Sequence, residues 1–407
     1  MSNASPLKTE LLIVGGGLAG LSLALGCARA GVDTVLVDQE VPERTLDPHF
    51  DGRTTALSYG SQQVLAGIGV WDLVAPEAEP IREIRVADNH SPLFVHYDHR
   101  DIGDEPLGYV FENRALRMGL LRAIEGVPSL RHLAPEKVVE LDRSKHRVSA
   151  LLGDGRRVEA ALAVAADGRN SMLRKAAGIR TAEWSYGQTA MTFVVHHEKP
   201  HLGIAVEHFF PSGPFAILPL TGDRSSIVWS ERSELVPHLM ALEPAAYHAE
   251  MMRRFGDFLG HVEIVTPVWA YPLKLMHAER YIAERLALIS ETAHVVHPIA
   301  GQGLNLGVRD ISVLAELIVD QRRLGLDIGT ADLLARYERW RRFDTVTLAA
   351  ITDGLTRLFS NDIPPLRLAR DVGLGLVNKL PPLKRVFMSH AMGTMGNLPR
   401  LARGEQL

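Results

Sequence analysis

The stretch 10-ELLIVGGGLAGLSLALGCARAGVDTVLVDQE-40 decides the fold. Leu11 to Val14 is a short, wholly apolar run, the pattern of a parallel strand covered on both faces. Gly15, Gly17 and Gly20 follow as G-x-G-x-x-G. Leu18 to Ala30 then carries helical periodicity with small residues, and Gly31 is placed to end that helix. Thr34 to Val37 reads as a second strand with Asp38 at its end, 18 residues after Gly20. Gly15 permits the tight turn, Gly17 lets the backbone approach a pyrophosphate, and Gly20 lets the helix pack close to the strand. The helix N-terminus offers free N–H groups and a positive dipole end to phosphates. Asp38 stands at the distance that accepts hydrogen bonds from a ribose diol. A lone glycine motif is weak, but here strand, helix and acid stand in order. The segment therefore reads as a dinucleotide-binding α/β unit, with FAD and NAD both open.

The chain has 407 residues, which suggests roughly two to three domains or one interleaved pair. A composition of 46% hydrophobic and 23% charged residues fits a globular protein with a real core. The net charge of −4 argues against a nucleic-acid partner, which needs a basic face. Cys27 is the single cysteine, so no intrachain disulfide forms and a reducing, cytoplasmic location is the default. The uncharged run Leu11 to Ala28 imitates a signal peptide or short membrane span. Five of its residues are glycine and Glu10 stands just before it, so the dinucleotide turn explains it better.

Three further stretches choose the cofactor: 51-DGRTTALSYGSQQVLAGIGVW-71, 109-YVFENRALRMGLLRAI-124 and 161-ALAVAADGRNSMLRKAAGI-179. Asp51, Arg53, Ala56, Leu57, Ser58 and Ser61 complete D-x-R-x-x-A-L-S-x-x-S. Glu112, Asn113, Arg114 and Leu116 give E-N-R-x-L, and Asp167, Gly168, Ser171 and Arg174 give D-G-x-x-S-x-x-R. Together with 334-LARYERWRRFDTVTLAAITDGLTRLFSND-362, the chain resembles the flavin-dependent aromatic hydroxylases (group A monooxygenases) over nearly its whole length. The resemblance is nearest to the branch that hydroxylates polyprenyl phenols in ubiquinone biosynthesis. It implies a non-covalent FAD, O2, and NAD(P)H as a transient co-substrate, which family members bind without a second G-x-G-x-x-G. Arg53 then becomes a partner for the FAD phosphates, where otherwise it is an ordinary surface ion pair. Asn113 or Arg117 would reach the flavin or its ribityl chain, although an asparagine before a helix is equally an N-cap. Asp167 would support FAD and the passing NADPH, where otherwise Asp-Gly is a turn.

The stretch 288-LISETAHVVHPIAGQGLNLGVRD-310 follows the family pattern G-D-A-A-H-x-x-x-P-x-x-G-Q-G-x-N-x-G-x-x-D. The resemblance makes it the isoalloxazine seat, with Gly301, Gln302, Gly303 and Asn305 beside the ring. A helix beginning near Leu304 would aim its positive end at the pyrimidine side, where charge develops on reduction. One departure stands out: the family's Gly-Asp is Ser290-Glu291. Glu291 keeps the charge that holds the ribityl hydroxyls and is one methylene longer. Ser290 adds a side chain where space is short. Taken alone, His294 and His297 could share a helix face and a metal. Only Glu291 lies nearby to add a ligand, so no metal site is expected. His294 is expected to be a structural, hydrogen-bonding histidine. His297 and Pro298 are expected in the flavin and substrate environment, with His297 a candidate for proton transfer.

Residues 184–275 differ in character, with short β-like runs at 190-AMTFVVHHE-198, 204-IAVEHFF-210, 215-FAILPL-220 and 226-SIVWS-230. The resemblance makes these an antiparallel substrate sheet, with Pro214, Phe215 and Pro219 near the ring; Phe215 is equally a core residue. The expected class is α/β. A Rossmann-like FAD-binding fold from residues 1–80, 109–183 and 276–350 interleaves with an antiparallel β-sheet substrate domain from 81–108 and 184–275. A helical C-terminal tail covers 351–407. From Asp362 onward seven Lys/Arg face three Asp/Glu. This basic, apolar tail is either an amphipathic surface for membrane or partner, or helices packed on the body. The resemblance implies hydroxylation of a polyprenyl-phenol intermediate, peripheral contact with the inner membrane, and partners among the ubiquinone-biosynthesis proteins or further copies of the chain. The alternatives are a hydroxylase of a small soluble phenol, a prenyl-chain reductase, or a non-catalytic assembly member whose flavin site has decayed at Ser290-Glu291.

Overall fold

The computed structural model describes residues 5–88, 94–297, 301–359 and 380–407. Strand β1 (Leu11–Val14), helix α1 (Leu18–Arg29) and strand β2 (Thr34–Val37) form in the order the glycine motif predicts. The helix stops at Arg29, and Gly31 turns the chain with φ 88°. Every residue of β1 and β2 is buried, because β1 lies inside a six-stranded sheet. Its order is Ile282–Ala283, Leu286–Leu288, Leu162–Ala165, Leu11–Val14, Thr34–Val37, Leu130–Leu133. The pairs from Leu286–Leu288 to Leu130–Leu133 are parallel, and only Ile282–Ala283 runs against its neighbour.

Further elements frame this body: strand β3 (Thr54–Ser58), helix α2 (Asn113–Ile124), strand β4 (Leu162–Ala165), which is the neighbour of β1, and later the long helices. A second, nine-stranded sheet is built around β5 (Thr181–His197), β6 (Gly213–Leu220), β7 (Arg224–Arg232) and β8 (Trp269–Ala278). The strands Glu83–Asp88 and Phe94–Asp98 lie in it as well. The sheet is not wholly antiparallel: Ile204–Phe210 pairs with Glu83–Asp88 in parallel. A parallel pair needs a long crossover, and here much of the first body intervenes between the two strands.

Alternation along the strands gives this sheet two faces. Met191, Phe193 and Val195 of β5, Phe215 and Ile217 of β6, and Ile227 and Trp229 of β7 form an apolar core under the helix Pro244–Phe255. Phe215 is thus a core residue. The opposite face carries Thr192 and Ser226, which meet the first body: Thr192 donates to the Gly52 carbonyl at 3.3 Å and the Ser226 and Thr54 hydroxyls lie 2.6 Å apart.

Helix α3 (Gln302–Arg323) packs beside α1 and under helix α4 (Ala331–Phe359). The expected divisions at 183/184, 275/276 and 350/351 fall inside β5, β8 and α4, each of which is one continuous element. Helix α5 (Pro381–Ala391) buries Met388 against Ile81 and Leu107. The rest of the basic tail before Leu380 lies outside the described residues. Among the described residues no helix is long and apolar enough to cross a membrane.

Candidate functional site

Two glycine turns open helices of the first body. At the β1–α1 turn, a Cβ added to Gly15 would lie 2.3 Å from the Ala166 oxygen, and one on Gly20 1.8 Å from the Gly15 oxygen. Protein packing alone demands those two glycines. A Cβ on Gly17 meets nothing within 4 Å, and its φ of −68° suits any residue. Gly17 caps α1, whose first turn has no acidic residue and no side-chain cap. At the start of α3 the arrangement repeats. Gly301 is left-handed (φ 63°) and its Cβ would lie 2.8 Å from that of Ala56, while a Cβ on Gly303 meets nothing within 4 Å. The helix begins at Gln302, two residues before the expected start, again with no side-chain cap.

Asn305 fixes this second turn to β3. Its Oδ1 accepts from the Ser58 N–H at 2.9 Å, and its Nδ2 donates to the carbonyls of Ala56 at 2.9 Å and Gly301 at 3.0 Å. Asp38, at the end of β2, packs on the first turn: a Cβ on Gly16 would lie 2.4 Å from its Oδ2. Burial pushes the Asp38 carboxyl above its usual range, against the N–H groups of Glu40 and Gly16.

Arg53 stands just before β3. It pairs with Asp51 at 3.3 Å, lies 4.0 Å from Glu291, and sits 5.6 Å over the Tyr271 ring. Its Nε is buried with no hydrogen-bond partner among the described residues, as is Oδ1 of Asp167. Oδ2 of Asp167 accepts from the Met172 N–H at 2.8 Å. Glu291 also meets Arg169 at 3.5 Å. Arg117 donates to the Thr45 carbonyl at 2.6 Å and to Asp51 at 3.0 Å, so it holds the loop that aims Arg53. Asn113 accepts from the Thr55 hydroxyl at 2.6 Å; Glu112, not Asn113, occupies the cap position of α2.

Beneath the second turn lies a buried ionic network. Asp310, fully buried, binds His294 Nε2 at 2.7 Å and Arg341 Nε at 2.7 Å, and accepts from the Ser290 N–H at 2.9 Å. Burial raises the Asp310 carboxyl, but His294 and Arg341 hold it below the carboxylate range. His294 lies in the strand His294–Val295, so the two histidines do not share a helix face. His297 is wholly buried with Nε2 3.2 Å from Gln188 Oε1, and Pro298 lies outside the described residues.

Contacts thus join many of the expected residues: Gly15 packs on Ala166 and Asp167, Asp38 on Gly16, Glu291 lies between Arg53 and Arg169, and Gly301 and Asn305 pack on Ala56. Sequence reasoning missed Arg174, which is buried and donates to the carbonyls of Arg169 at 2.8 Å and Thr292 at 2.9 Å, stapling the loop after Asp167 to the turn that carries Glu291. Its signal was the last position of D-G-x-x-S-x-x-R. Asp51, Arg341 and Tyr271 were also missed. The donor atoms of Glu83, His96 and Asp98 lie within 4.8 Å of one another. Arg85 and Arg100 already pair with the two carboxylates, at 2.9 Å for Arg85 and Glu83, so the trio is an ion-pair cluster.

The residues fit a dinucleotide. Two uncapped helix N-termini carry glycines that no atom of the described residues crowds, and an arginine N–H lies buried without a partner among those residues. Residues 8–344 match the family described as FAD binding domain, and the chain belongs to that family. It is 51% identical over 401 residues to the ubiquinone hydroxylase UbiL of Rhodospirillum rubrum, covering 98% of this chain and 93% of that one. It is 34% identical to the 3-demethoxyubiquinol 3-hydroxylase of Escherichia coli, covering 95% and 98%. The crystal structure of p-nitrophenol 4-monooxygenase PnpA from Pseudomonas putida superposes with a TM-score of 0.81 over 96% of this chain and 99% of that one, at 18% identity, which shows a shared fold.

Proposed function

We propose that the chain is an FAD-dependent, NAD(P)H-driven monooxygenase that hydroxylates the phenolic ring of a polyprenyl-phenol intermediate in ubiquinone biosynthesis. The observation that carries this reading is the pair of open glycines, Gly17 and Gly303, each at a helix N-terminus and each with no atom of the described residues within 4 Å of where a Cβ would stand. FAD, when bound, supplies electron transfer from NAD(P)H and activation of O2, so that one oxygen atom enters the ring C–H and the other leaves as water. The body around the six-stranded sheet is the cofactor domain in this reading, and the nine-stranded sheet covers the substrate.

The chain's own residues hold, orient and exclude. Gly17 and the N–H groups of α1 receive the pyrophosphate, and Asp38 the ribose. Arg53 and Asp167, each with a buried polar atom unpartnered among the described residues, hold the cofactor in this reading. Asn113 and Arg117 act by holding the loops behind Arg53. Gly301, Gln302 and Gly303 bring backbone N–H groups to the ring, and the α3 dipole favours negative charge there. Asn305 and Asp310 position that seat rather than touch the reacting atoms. Glu291 faces the ribityl chain with Arg53 and Arg169 at its sides. The Ser290 side chain packs on α3, which argues against a decayed site. Exposed Val386 and Phe387 next to Arg385 on α5 support peripheral membrane contact.

The test is the visible spectrum of the protein purified without added cofactor, then an FAD titration, then O2 uptake and product analysis with NAD(P)H and a prenylated phenol. Flavin bands, phenol-stimulated O2 uptake and a product heavier by one oxygen atom are expected. A colourless protein that refuses FAD would sink the hydroxylase reading in favour of a non-catalytic role.

A further inference from the structure

The inner face of the nine-stranded sheet carries polar groups that the cofactor seat does not use. Gln188 of β5 and Ser230 of β7 lie on this face, and Gly213 at the start of β6 packs against both. Gln188 Oε1 is 3.2 Å from His297 Nε2, and its Nε2 donates to the Ser212 carbonyl at 2.8 Å. The Tyr186 ring meets the His297 ring edge-on at 4.9 Å. Gly213 has φ 143°, and a Cβ there would lie 2.9 Å from Ser230 Cβ and 3.0 Å from Gln188 Nε2. These groups therefore crowd around one point of the sheet, beside His297.

Further along the same face, Thr192 and Ser226 are committed to Gly52 and Thr54. Ser230 is different. It is 1% exposed, and its hydroxyl is sealed from solvent with no hydrogen-bond partner among the described residues. A buried hydroxyl without a partner destabilises a fold relative to a methyl group of the same shape. Packing does not ask for it, because the atom near Gly213 is Cβ, which alanine also has. A hydroxyl kept at such a place points to a ligand that arrives later.

We propose that Ser230, with Gln188 and His297 beside it, forms the polar end of the substrate pocket and takes an oxygen substituent of the aromatic ring. The inference rests on the hydroxylase reading above. Serine can accept from a phenol O–H or donate to a phenolate, so it serves the ring in either protonation state. It acts as a positioning and specificity residue: it fixes which ring edge points away from the flavin seat, and hence which carbon faces it.

The test uses the FAD-loaded enzyme and its Ser230→Ala variant with two probes, a short-chain prenylated phenol and the same molecule lacking the phenolic oxygen. FAD content, thermal midpoint, dissociation constants from the flavin spectrum, KM, kcat, and product formed per NAD(P)H are measured. We expect S230A to keep its FAD and melt no lower than the wild type. It should bind the phenol roughly three- to tenfold more weakly, in line with one lost neutral hydrogen bond, and form less product per NAD(P)H. The oxygen-free probe should bind both proteins alike. Equal phenol binding by the two proteins, or an equal loss for both probes, overturns the proposal while the hydroxylase reading stands. A wild-type enzyme that consumes no O2 with any phenol overturns both.

Discussion

Ser290 shows how a departure from a pattern is absorbed at the scale of one residue. Its φ of 54° is left-handed, a conformation that costs an ordinary residue about 1–2 kcal/mol. The Ser290 N–H bound to buried Asp310 holds it there. The sequence pattern located this turn and marked Ser290 as an extra side chain in short space. It did not show the direction of that side chain, which depends on Asp310, Arg341 and Gly307 from α3 and α4. A Cβ on Gly307 would lie 2.6 Å from Ser290 Oγ and 3.0 Å from its Cβ, so the side chain rests on α3. Gly307→Ala should therefore cost about 1–3 kcal/mol in urea unfolding. In a Ser290→Gly background the nearest remaining atom is the Cα at 3.5 Å, an ordinary contact, and most of the loss should disappear. Simply additive losses in the double-mutant cycle would count against this packing.

At the scale of elements, what is local in sequence was legible. The β1–α1–β2 unit follows from an apolar run, spaced glycines and a helical period, all within the first forty residues. The strand β5 was legible only from Ala190, because its first half, 181-TAEWSYGQ-188, mixes polar and glycine residues. That half is a strand because β8 pairs with it from Thr181 opposite Ala278, with a register shift between Ser185 and Thr189. Asn305 was legible as a site residue, but its partners were not, since Ala56 and Ser58 lie almost 250 residues away. Asn305→Ala should remove three hydrogen bonds between α3, its cap and β3. We expect a loss of about 2–4 kcal/mol, with FAD released at lower denaturant than the midpoint of global unfolding. Asn305→Asp keeps the acceptor and loses the donor, so it should fall between. Unfolding and flavin release that stay coincident and unshifted in N305A would refute the clamp.

Across the whole molecule, buried histidines tie folding to pH. His197 is sealed between the Lys199 carbonyl at 2.8 Å and the Ser225 hydroxyl at 3.0 Å, and His277 bonds the Tyr281 hydroxyl at 3.0 Å. Burial holds both below the ordinary histidine range, and His294 and Arg342 push His277 further down. The unfolded chain therefore binds more protons than the folded one in the window beneath about pH 6.5. Stability is full above that value and is lost as pH falls through the lowered folded values. Asp310 does not contribute to this loss, since its carboxyl is held below the carboxylate range and stays charged throughout the window. The thermal midpoint of the FAD-loaded protein should be level from about pH 7 to 8 and decline toward pH 5. His197→Gln should start from a lower midpoint at pH 7.5 and decline less steeply, because one of the titrating groups is gone. A wild-type midpoint that rises or stays level down to pH 5 would show that these histidines are not kept neutral by the fold.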